Sequence, residues 1–68
     1  MNKYVKLWKY IQKSNEEKII LSFDQIKKIL GFDIDHSFLN CKKQLIDYGY
    51  EVFKISLKEK YIIFNKIH

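Results

Sequence analysis

Residues 21 to 32, Leu-Ser-Phe-Asp-Gln-Ile-Lys-Lys-Ile-Leu-Gly-Phe, carry both ends of one short helix, and no other stretch constrains the fold as tightly. Ser22 and Gln25 stand at the spacing of a capping box. The serine hydroxyl accepts from the amide three residues on, and the glutamine side chain reaches back to the cap amide. Leu21 and Ile26 stand where a hydrophobic staple would join the entering chain to the first turn. Phe23, Ile26, Ile29 and Leu30 supply a buried stripe at helical spacing. Gly31 fits the left-handed stop, with Phe32 just beyond to pack back on the helix.

The remaining elements follow from periodicity on either side. Tyr4, Leu7, Trp8 and Ile11 recur at i, i+3, i+4 and i+7 and predict a helix over 3–13, with Lys3, Lys6, Lys9 and Lys13 off the apolar stripe. Ser14 to Glu17 is a polar turn, and Lys18 to Leu21 reads as a short strand. Phe32 to Asp35 connects to a third helix. That helix is capped by Asp35 or Ser37, carries Phe38, Cys41, Leu45, Ile46 and Tyr48, and stops at Gly49. At α-helical spacing His36, Asn40, Lys43 and Asp47 share its opposite face.

Tyr50 to Leu57 and Tyr61 to Asn65 read as two strands joined by Lys58-Glu59-Lys60. The turn has no glycine, so a tight two-residue connection is not expected. Val52, Phe53, Ile55 and Leu57 break strict alternation. Either a bulge lets Val52 and Ile55 both face inward, or Phe53 is the inward residue.

The expected fold is therefore α+β, in the order α-β-α-α-β-β: three helices with a small antiparallel sheet. This is the order of a winged helix, with helices two and three as a helix-turn-helix and the hairpin as the wing. Its 68 residues make one domain, 1–68, and 47% hydrophobic residues suffice for a core without staples.

Several segments resemble a widespread prokaryotic family of small uncharacterised domains. They are Lys3-Tyr4, Leu7 and Tyr10-Ile11; Leu21-Ser22-Phe23, Ile26 and Ile29-Leu30-Gly31; Ser37; and Tyr48-Gly49-Tyr50, Val52, Ile55 and Phe64. The most specific of these is the LSFxxIxxILG segment. The chain departs from the family pattern at Lys27, where glutamate is usual, and in a shorter region after Ser37. The resemblance implies a winged-helix-like fold and a bacterial or phage origin, and it implies no activity.

The residues that could do chemistry do not converge. The single cysteine, Cys41, excludes an internal disulfide. Asp33, Asp35, His36 and Cys41 lack the spacing of a zinc site, and the two aspartates suit a helix N-terminus. There is no nucleophile with a base and an orienting group, and no glycine-rich phosphate loop. No enzyme, metal or other cofactor is expected. The lysine-punctuated start has no continuous apolar run of the kind a signal peptide needs, and no stretch approaches a membrane span, so a cytoplasmic protein is expected.

Binding is what is left. The net charge is +5, and every basic residue is a lysine. Lysine serves for phosphate, but arginine is the better bidentate reader, and the composition has the style of an AT-rich genome. The leading expectation is a regulatory binder of DNA or RNA. His36, Ser37, Asn40, Lys43 and Gln44 would face base edges, with Lys27, Lys28, Lys58 and Lys60 on phosphates. The alternative is a protein-binding inhibitor or adaptor of phage or mobile-element type, such as an anti-CRISPR-like blocker of a host nuclease. It would bind a protein or protein–nucleic-acid complex through Tyr10, Tyr50, Phe53 and Tyr61. A homodimer built on the first helix or the hairpin edge is compatible with either.

Overall fold

A computed structural model describes residues 3–68 of the chain; Met1 and Asn2, part of the expected 1–68 domain, lie outside the described residues. The elements are α1 (Val5–Ser14), β1 (Lys18–Ser22), α2 (Phe23–Leu30), α3 (Ser37–Cys41), a 3₁₀ helix (Lys42–Tyr48), β2 (Tyr50–Ser56) and β3 (Tyr61–Lys66). The fold is α+β, in the expected order. β3 lies centrally in a three-stranded antiparallel sheet, paired with β1 on one side and β2 on the other.

The local signals around α2 act as their chemistry requires. Ser22 Oγ accepts from the Gln25 amide at 3.1 Å, and Gln25 Oε1 accepts from the Ser22 amide at 2.8 Å. Gly31 ends the helix at φ +86°, which a residue with a Cβ adopts only under strain. Gly49 does the same at φ +86° where the 3₁₀ helix gives way to β2.

Several boundaries differ from expectation; α1 and β3 each run one residue further, to Ser14 and Lys66. The first helix begins at Val5, two residues later than expected, with Tyr4 O accepting from the Leu7 and Trp8 amides. β1 extends one residue further, to Ser22. The hairpin connection has four residues, Leu57 to Lys60, because Leu57 leaves the strand. Lys60 closes it at φ +59°, and Ser56 Oγ accepts from the Glu59 amide at 3.1 Å. Most consequentially, the expected continuous third helix is α-helical for only five residues and then 3₁₀ for seven.

Distance explains this last change. The segment starts beside the hairpin turn and must deliver Gly49 to the far end of the sheet, where its carbonyl accepts from the Ile67 amide. A 3₁₀ helix rises about 2.0 Å per residue against about 1.5 Å for an α-helix, so the mixed segment spans roughly 21 Å rather than roughly 18 Å. That matches a seven-residue strand, at about 3.3 Å per residue, closely enough to close the crossover. Burial follows the 3₁₀ period of three: Leu45 is buried, Lys42 and Tyr48 are half-buried, and the residues between are exposed. Ile46, one of the apolar residues of the expected third helix, is 56% exposed for this reason.

β2 carries a bulge. Val52 pairs with Phe64 and Lys54 with Ile63, leaving Phe53 as the extra residue. Val52 and Ile55 both pack against the core, and Phe53 is exposed, as the bulged alternative required.

All three helices pack on one face of the sheet. The core joins Tyr4, Leu7, Trp8 and Ile11 of the first segment to Ile26, Leu30, Phe38 and Leu45, and to the inward sheet residues Ile19, Leu21, Tyr50, Ile62 and Phe64. At its centre the rings of Tyr4, Trp8 and Phe38 meet with centroids 5.5 to 5.9 Å apart.

Candidate functional site

The approach to α3 is fixed by Asp35. Its Oδ1 accepts from the Ser37 amide at 2.8 Å and from the Ser37 hydroxyl, while Oδ2 pairs with Lys3 Nζ at 3.1 Å. Tyr4 Oη lies 2.8 Å from Ser37 Oγ. The Lys3 ammonium also sits 5.4 Å from the ring centroids of both Tyr4 and Phe32. Hydrogen bonds from Ser37, then Lys3, hold the Asp35 carboxyl well below the usual carboxylate range. The same bond to Asp35 raises Lys3 above its ordinary value. This knot ties the residues before α1 to the start of α3.

Beside the knot lies an apolar groove of about 540 Å³. One wall is the chain from Ile34 to Leu39; the other is the end of β2 and its turn, with Ile55 and Leu57; Phe23, at the start of α2, also lines it. Leu39 is 50% exposed and Leu57 is 76% exposed, so each wall presents a leucine to solvent. Asp35 and His36 are the polar residues of the lining, and Lys58 and Lys60 follow Leu57 in the exposed turn. The Lys60 carbonyl accepts from the Phe23 amide at 2.9 Å, which ties the hairpin turn to the start of α2 rather than letting it project freely.

The residues expected to contact nucleic acid are scattered around this groove. His36 lines it and is exposed. Ser37 is half-buried and its hydroxyl is engaged by Asp35 and Tyr4, so it serves the start of the helix and does not face bases. Asn40, Lys43 and Gln44 are exposed, but they straddle the change from α to 3₁₀. With a period of three, Lys43 stacks with Ile46 and Gln44 with Asp47, so the expected shared face of His36, Asn40, Lys43 and Asp47 is broken. Lys27 pairs with Asp33 at 3.6 Å, and Lys28 is exposed nearby.

Of the aromatic residues expected at a protein interface, Tyr50 is 2% exposed and its hydroxyl donates to the Glu16 carbonyl at 2.5 Å; it is a core residue and no anchor. The inward-facing pattern of β2 requires this, since Tyr50 shares a face with Val52. Tyr10 is 49% and Phe53 62% exposed, and Tyr61 is half-buried. Leu39 and Leu57 carried no sequence signal of exposure. Leu39 stands in the middle of α3 and Leu57 just beyond β2, and for a leucine at either place burial is the ordinary expectation.

Among the described residues, no cluster of three or more histidine, cysteine, aspartate or glutamate side chains could hold a metal ion. Nor, among them, is any helix long and apolar enough to cross a membrane. No protein-family model, curated protein or solved structure matches this chain.

Proposed function

We propose that this chain is a non-catalytic, winged-helix-like interaction domain that acts in the cytoplasm and captures an apolar segment of a protein partner. The observation that carries this reading is the groove, with Leu39 and Leu57 exposed on opposite walls and Phe23 and Phe38 behind them. Burying one leucine side chain is worth about 1.5–3 kcal/mol, and small domains have little apolar surface to leave unused. A partner residue seated between the two leucines covers both. Lys58 and Lys60 follow Leu57 in the turn and outnumber Glu59 there, so that end of the groove, away from Asp35, favours an acidic residue beside the apolar anchor.

Selection of random displayed peptides against the folded domain tests this. The expected winners carry a large apolar residue with nearby aspartate or glutamate, and Leu57→Asp abolishes their binding without lowering the thermal midpoint. Winners that bind Leu57→Asp equally well would overturn the groove reading.

Nucleic acid is the second reading, favoured by the exposed lysines of the hairpin turn. Lys60 holds a left-handed backbone conformation at φ +59°, where glycine or asparagine would be unstrained, so a charged side chain is kept there at a cost in strain. Duplex binding that falls steeply with salt, is lost on Lys58→Gln with Lys60→Gln, and ignores Leu57→Asp would favour nucleic acid over the groove.

A further inference from the structure

The face of the sheet opposite the helices is uncovered and is laid out in three rows. Register and alternation place Lys18, Asn65 and Glu51 side by side in the first row and Ile20, Ile63 and Lys54 in the second, with Ser22, Tyr61 and Ser56 in the third. The bulge adds Phe53 to the second row. Val52 and Ile55 both face the core, so Phe53 and Lys54 both turn outward opposite Ile63. Ile20 is 57% and Phe53 62% exposed, so an apolar stripe crosses all three strands. At the ends of the first row stand Lys18 and Glu51, oppositely charged, exposed, and without an ion pair among the described residues.

We propose that this face binds a second copy of the chain, sheet against sheet, about a two-fold axis parallel to the strands. Such an axis sets β1 of one copy over β2 of the other and keeps the rows in step. Lys18 then meets Glu51 of the second copy, and the reverse contact forms by symmetry. Ile20 lies over Phe53, and Ile63 packs on its own copy at the axis. Ser22 faces Ser56, and Tyr61 faces Tyr61. Each row is thus complementary to itself, which is what an isologous interface requires. Lys54 lies at the sheet margin, where its stem covers the second copy's Ile20 and its ammonium stays in water.

The alternative of an unrelated partner explains the stripe but not the opposite charges at the two ends of one row. The face is small, about 14 Å across three strands and roughly 17 Å along them, so the dimer belongs with interfaces below about 1,200 Å² and forms only at high concentration. The groove lies on the helix side of the sheet and stays open in the dimer, so this proposal stands apart from the partner-binding reading.

Sedimentation velocity of the full chain from about 20 μM to about 1 mM tests it, a range chosen to bracket weak affinities. The expected result is a rise in apparent mass from 8.3 kDa toward twice that value. Lys18→Glu and Glu51→Lys should each weaken association about five- to tenfold, since each turns two attractive contacts repulsive. The double reversal Lys18→Glu with Glu51→Lys should restore it, and Ile63→Lys should abolish it. All four residues concerned face away from the core, and a thermal melt of each variant confirms folding. Monomeric behaviour throughout the range overturns the proposal. So does a double reversal no better than the single ones, or association lost on Leu57→Asp but kept on Ile63→Lys.

Discussion

At the scale of single residues, Asp35 joins distant parts of the chain. It accepts from Ser37, which starts α3, and pairs with Lys3, just before α1. Because those contacts favour its ionised form, its folded pKa lies below the roughly 3.9 of an unfolded aspartate. A depressed folded pKa gives stability that is fully present above the unfolded value and is lost as pH falls below about 4 toward the folded value. The thermal midpoint should therefore fall between about pH 5 and about pH 2, and the Asp35→Asn variant should show a flatter curve over that window. Parallel curves for the two proteins would remove Asp35 from the account of acid sensitivity. Lys60 is the counterpart at the hairpin turn: its left-handed backbone is imposed by the four-residue connection, and its side chain is free in solvent.

At the scale of elements, α2 is the part of the fold most directly written in the sequence. Ser22, Gln25 and Gly31 each satisfy a backbone group or a backbone angle within a few residues, so no distant information is needed. Replacing Ser22 with alanine should cost about 1 kcal/mol and lower the thermal midpoint by roughly 4–8 °C, measured by circular dichroism. The bulge at Phe53 was legible as one of two alternatives, since Val52 and Ile55 cannot both face the core on an unbroken strand. The 3₁₀ helix was not legible. Phe38, Cys41, Leu45 and Tyr48 fit an α-helical stripe, and the need to stretch comes from the length of the hairpin that the segment must run beside. The same change hid part of the candidate site, because it breaks the polar face that α-helical spacing gives Asn40 and Lys43. The groove itself was invisible for a related reason: its walls come from residues 34–39 and 55–57, and only the tertiary fold sets them opposite each other.

At the scale of the whole molecule, one core links every element, and α3 is anchored at both of its sides, by Asp35 and Ser37 below and by Phe38 in the core. Unfolding should therefore be a single cooperative event, with Trp8 fluorescence and far-ultraviolet circular dichroism giving one midpoint. A separate, earlier transition in fluorescence would mean that the α3 segment detaches on its own. Trp8 is the only tryptophan and is fully buried, and its indole nitrogen has no hydrogen-bond partner among the described residues. Its ring lies 5.8 Å from that of Phe38, and Phe38 is also a wall of the groove. Binding of the proposed partner segment would therefore take place one ring away from Trp8, and the expected outcome is a shift in tryptophan emission on titration that reports occupancy without any attached dye.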